Sequence, residues 1–245
     1  MLFTSDTPRH HVKELGLLYL VDLPFVYLGA YFLLKSKEKR STAVTFAWIL
    51  FAPVAASVTR DVPHSLRAEL MLPIFQIFIA AGILGVYSVL KLEKIVCRLF
   101  ITVLFLLYFI NISFFLHQYF IHFAKDTSVD WVYGRKEAAL FANEVKQNYE
   151  RVIVSTKLEQ PHVFFLYYLH YDPATYLSEG GTFSGGWAED RNRFDKYQFK
   201  PIDFSRMSDG RTLFVGLPNE FPSSMIPLKK IYYLNGEEAI WIISG

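Results

Sequence analysis

The stretch Leu99–Phe120 constrains this chain more than any other, because it runs through Phe, Leu and Ile almost without interruption. About 20 mostly apolar residues in a helix cross the roughly 30 Å hydrocarbon core of a bilayer. Three earlier stretches have a similar character. Leu15–Leu34 carries Asp22 and Pro24, Ala43–Val58 is short and contains Pro53, and Leu70–Leu90 carries Pro73, Gly82 and Gly85. In lipid every backbone polar group needs an internal partner, so helices are the form such stretches take. The sequence therefore predicts an α-helical multi-pass membrane segment of four transmembrane helices over residues 1–122, with the lipid bilayer as partner.

Residues 123–245 have a different pattern, that of a small soluble α/β domain. Lys136–Tyr149 places Ala139, Leu140, Phe141, Ala142 and Val145 among charges, which predicts an amphipathic helix. Arg151–Ser155 and Thr212–Gly216 predict strands, and Pro161 suits the first position of a helix over Pro161–His170. Ile231–Leu234 and Ala239–Ile243 flank Asn235-Gly236, a strong hairpin signal. The order of elements predicts an α/β layer with an antiparallel edge.

Charge places the spans. Residues 1–122 carry 11 Lys/Arg against 7 Asp/Glu, and residues 123–245 carry 14 against 16. Neither half has the basic stripe that nucleic acid requires. Lys35, Lys37, Lys39 and Arg40 follow the first apolar stretch; Lys91, Lys94 and Arg98 follow the third. By the positive-inside rule both loops are cytoplasmic. The N-terminus, the loop Thr59–Glu69 and the α/β domain are then expected outside, in a multi-pass protein of the plasma membrane. The start, MLFTSDTPRHH, lacks the apolar core of a signal peptide, and the single Cys97 excludes an intrachain disulfide.

The candidate functional residues cluster in the expected outer loops. Asp6-Thr7-Pro8-Arg9-His10-His11 precedes the first apolar stretch, and Thr59-Arg60-Asp61-Val62-Pro63-His64-Ser65-Leu66-Arg67 lies between the second and third. A guanidinium at the membrane surface can hold a phosphate bidentately; interfacial anchoring is the plainer reading of the same residues. Asp22 lies within an apolar stretch and is either functional or hydrogen-bonded at a helix break beside Pro24. No Cys/His spacing suits zinc, and His117 and His122, five apart, fall about 140° apart around a helix. A divalent metal is possible but nothing indicates one, and no other cofactor is expected. The Gly-rich segment Glu179–Trp187 lacks the Lys-Ser/Thr of a P-loop and is read as a connector.

Four segments carry a resemblance. LFTSDTPRHHVKELGLLYLVDLPFVYLGAYFLL and APVAASVTRDVPHSLRAELMLP, then Trp131-Val132-Tyr133-Gly134-Arg135-Lys136-Glu137-Ala138 and Tyr171-Asp172-Pro173, resemble in order parts of GT-C type glycosyltransferases. These are the family 39-like enzymes related to protein mannosyltransferases and aminoarabinose transferases. The resemblance implies transfer of a sugar from a polyprenyl-phosphate donor to an acceptor on the outer face of the membrane. It implies that Arg9, His10, His64 and Arg67 bind the lipid-linked phosphate. Inverting transfer also needs a general base, and no match gives Asp6 or Asp61 that role. Family members are about twice as long, with their catalytic carboxylates in an earlier outer loop. The chain is thus expected to be the C-terminal portion of such an enzyme, inactive alone. The alternative from the residues themselves is a non-catalytic membrane protein whose outer domain binds a partner or a glycan.

Overall fold

The computed structural model describes residues 9–57, 69–182, 192–204 and 209–245. The chain forms two compact units, Met1–Ala124 and Lys125–Gly245. The first is helical: α1 (Asp22–Lys35), α2 (Lys39–Ser57), α3 (Leu72–Leu90) and α4 (Lys94–His117). α4 continues through a π turn at Gln118–Phe123 and on to Asp126.

The expected four transmembrane helices are not what the chain forms. Among the described residues, two helices are long and apolar enough to cross a membrane, Glu69–Leu90 and Lys94–Asp126. α1 has 14 residues, about 21 Å of helix against a roughly 30 Å core. It starts late because Pro24 lacks an N–H and its ring clashes with the carbonyl four residues back, so a helix cannot run through from Leu15. At that start the Asp22 carboxylate accepts the Tyr19 N–H at 2.8 Å. α2 has 19 residues, but it opens on Lys39-Arg40-Ser41-Thr42 and Pro53 interrupts it.

α1 packs intimately on α3. A methyl group added at Gly29 would overlap the Phe78 carbonyl, one at Gly82 would overlap the Phe25 carbonyl, and one at Gly85 would overlap the Phe32 ring. A helical β-carbon leans one turn toward the N-terminus, so the Gly29–Phe78 and Gly82–Phe25 contacts set Gly29 beside Gly82, Phe32 then falls beside Gly85, and α1 and α3 run parallel. Glycine lets their backbones touch, the mode of association that works where lipid removes the hydrophobic drive between helices. One consequence is that Lys35, at the end of α1, and Lys91, just after α3, fall at the same end of the pair. α4 behaves differently: Leu99, Phe105, Phe109, Ile110 and Phe120 are all exposed. An apolar surface on that scale, more than a few hundred Å², suits lipid rather than water.

The second unit is built on a six-stranded mixed sheet of order β2-β3-β1-β4-β6-β5. Its strands are β1 (Arg151–Val154), β2 (Arg193–Phe194), β3 (Tyr197–Phe199), β4 (Thr212–Gly216), β5 (Lys229–Tyr232) and β6 (Glu238–Ser244). β1 pairs in parallel with β3 and β4, and the other pairings are antiparallel. Side chains alternate across the sheet as the pleat requires. Val152, Val154, Leu213, Val215, Ile240 and Ile242 face the helices α5 (Arg135–Val145), α6 (Pro161–Tyr168) and α7 (Pro173–Ser178). Ile153, Phe214, Trp241 and Ile243 form a smaller core on the opposite face with Phe221. At the centre of the larger core, Phe165 meets Tyr197 and Phe199 edge-on, with ring centroids 5.2 and 5.6 Å apart. These contacts anchor α6 to the sheet and thereby place one wall of the site described next.

The close approach of α1 and α3 yields a direct test. Replacing Gly29 with Ile should destabilise the helical unit by at least the ~1–3 kcal/mol typical of overpacking, because the obstacle is backbone and cannot rotate away. Thermal unfolding in detergent micelles, followed by helical circular dichroism, should show a lowered midpoint for Gly29→Ile. Ala30→Leu, whose side chain is only partly buried, should shift it less.

Candidate functional site

A cleft of about 570 Å³ opens on the α/β unit, within the range of small-molecule sites. Its rim is the turn that leads into α5. Backbone hydrogen bonds from Trp131 N–H to Thr127 O (3.0 Å) and from Tyr133 N–H to Ser128 O (3.0 Å) hold this turn. Gly134 closes it at φ +92° and starts the helix. A β-carbon there would lie 2.9 Å from Ile231 Cγ2, so glycine is required for both conformation and space. The turn projects Trp131 and Tyr133 outward, 58% and 44% exposed.

α5 and α6 supply the body of the cleft. Leu140 and Phe141 come from α5, and Phe164 and Tyr168 from α6. Lys136 Nζ sits 6.0 Å from the Tyr168 ring centre, and Lys229, at the start of β5, sits 5.9 Å from that of Phe141. Lys229 also pairs with Glu137 at 3.0 Å; both are substantially exposed, so the pair adds little stability. Glu144 completes the polar lining. Flat aromatic faces and polar groups of both signs therefore line a single recess.

Arg135 is the unusual member. It is 5% exposed, and its Nε donates to Leu158 O at 3.1 Å. Burial lowers its pKa from the ordinary value, while Tyr233, as hydrogen-bond partner, and the charge of Glu159 oppose the shift. A guanidinium stays charged through any such shift. Its Nη1 is buried and has no hydrogen-bond partner among the described residues, an arrangement that costs about 1–3 kcal/mol.

The residues singled out from the sequence fall in several places. Arg9 and His10 lie in the polar turn before α1, Arg9 exposed and His10 partly buried; His64 and Arg67 lie outside the described residues. Asp22 is 5% exposed, and the Tyr108 hydroxyl of α4 donates to its Oδ1 at 2.5 Å. Beside this pair, residues of α1 and α4 line an apolar groove that includes Leu20, Phe25, Phe100, Leu104 and Leu107. His117 and His122 correct the helical-wheel expectation. The wider π turn between them brings their ring centroids to 5.1 Å. Among the described residues no group of three or more His, Cys, Asp or Glu could hold a metal ion. Asp172 caps α7, accepting the Thr175 N–H and hydroxyl, each at 2.7 Å. These bonds hold its carboxyl below the usual range.

No local signal in the sequence announces the cleft. Its rim was visible as the segment Trp131–Ala138, but nothing in the spacing joins that segment to Tyr168 and Lys229. No protein-family model, curated protein or solved structure matches this chain. The resemblance to GT-C transferases therefore rests on the segments quoted above.

Arg135→Met should leave stability nearly unchanged. Replacing a buried, incompletely paired charge with an apolar residue of similar length is often neutral or stabilising, while the Leu158 carbonyl loses a donor worth about 1 kcal/mol. The free energy of chemical unfolding should therefore stay within about 1 kcal/mol of the parent, measured by intrinsic tryptophan fluorescence.

Proposed function

We propose that this chain is the C-terminal part of a GT-C type membrane glycosyltransferase. That enzyme moves a sugar from a polyprenyl-phosphate donor to an acceptor on the outer face of the plasma membrane. One observation carries the reading. Two of the resembling segments carry polar groups at described surfaces: the turn holding Arg9 and His10 before α1, and the cleft rim around Trp131–Arg135, while Tyr171–Pro173 lies apart at the start of α7.

The helical unit supports the membrane setting with two helices of spanning length and composition. The turn between them, with Lys91 and Lys94 at its edges, is short and basic, which favours the cytoplasmic side. A hairpin of two spans, α3 and α4, then delivers the α/β domain to the outer face. The parallel packing of α1 on α3 adds Lys35 to the same basic end. Arg9, His10, His64 and Arg67 form the donor-phosphate site, where cations offset the charge that develops on the departing phosphate. The general base comes from the part of the enzyme that precedes these segments, and the chain alone is inactive.

The test joins the chain to the upstream half of a transferase of this type and measures transfer from a polyprenyl-phosphate sugar. Arg9→Ala and Arg67→Ala should each cut turnover by about 10²-fold or more, as loss of a charge-stabilising donor does elsewhere. Parent-level transfer by both variants would contradict the site assignment. Ser65→Cys and Ser184→Cys should both react with a membrane-impermeant maleimide from outside; labelling from opposite faces would contradict the topology.

A further inference from the structure

We propose that the cleft between the turn at Trp131–Gly134, α5 and α6 is a saccharide-binding site. The argument starts from what a pyranose ring presents to a protein. Its faces carry C–H bonds, apolar and positive at hydrogen, that pack against the negative face of an aromatic ring. Its rim carries hydroxyls that donate and accept in equal measure, so a saccharide site needs flat aromatics together with both donors and acceptors.

The cleft supplies each requirement from separate elements. Trp131 and Tyr133 stand exposed at the rim, their ring faces open to a ligand. Tyr168 adds a third ring, beneath the ammonium of Lys136. Lys136 and Lys229 donate, and Glu137 and Glu144 accept. The presence of both carboxylates argues against a ligand held mainly by negative charge, such as a free phosphate or a nucleic acid. The recess of about 570 Å³ is too confined for the flat, extended surface of a standard protein–protein interface.

Assigning this saccharide as the acceptor glycan of the transfer rests on the transferase reading above; saccharide binding itself does not. The polyprenyl-linked donor belongs with the phosphate-binding residues of the helical unit. The ring-lined cleft belongs to the α/β domain and has no long apolar groove for a lipid tail.

The experiment presents the full chain, in detergent micelles, to an array of immobilised bacterial and eukaryotic glycans. The parent should retain at least one glycan class. Trp131→Ala and Lys136→Ala should each weaken that binding at least about tenfold, the loss expected on truncating an anchoring contact. Tyr167→Ala, exposed on α6 but outside the cleft, should bind as the parent does. Circular dichroism of each variant should match the parent, since Trp131 and Lys136 are not buried. Retention of no glycan, or equal retention by the parent and both cleft variants, overturns the proposal. Glycan retention without transfer in the joined enzyme would leave the cleft assignment standing and remove the transferase reading.

Discussion

The hydrogen bond from Arg135 to the Leu158 carbonyl organises the face of the α/β domain that carries the cleft. It ties the first residue of α5 to the connection between β1 and α6, two segments remote in sequence. Because Gly134 precedes Arg135 in a left-handed conformation, the turn that carries Trp131 and Tyr133 has little freedom once the guanidinium is seated. Burying that guanidinium works against stability, and its burial is compensated only in part by Leu158 and Tyr233. Partial compensation of this kind is typical of places where a fold gives up stability for binding.

The helical unit follows a different rule. Its α1–α3 contact uses Gly29 and Gly82 to bring backbones together, while α4 turns large apolar side chains outward. In water such a surface would associate or aggregate; in a bilayer it is the solvated state. The Asp22–Tyr108 hydrogen bond lets α1 keep an ionisable group at its buried start, where an acidic residue also complements the positive end of the helix dipole.

Much of the α/β fold was legible because its signals are local. TLFVG became β4 over the same five residues, Pro161 opens α6, and Asn235-Gly236 forms the tight turn before β6, with Gly236 at φ +93°. β2 and β3 were not legible: at two and three residues they are too short for a period of two to show. The four expected spans reduced to two because hydropathy averages over a window, whereas Pro24 and the polar start of α2 act at single positions. The cleft shows the same limit. Trp131, Tyr168 and Lys229 are brought together by the order of strands and helices, and no spacing along the chain announces that meeting.

The account holds that a saccharide reaches the Trp131–Lys136 rim from the outer side of a membrane. Photo-crosslinking tests this most directly, using a membrane-impermeant diazirine derivative of the glycan selected by the array. The reagent is added to sealed right-side-out vesicles that contain the full chain, and the labelled peptides are mapped by mass spectrometry. The account predicts labelling concentrated on the peptide spanning residues 126–136, without permeabilisation, and suppressed by excess free glycan. Labelling that requires opened vesicles, or that avoids this peptide while persisting elsewhere, would contradict it.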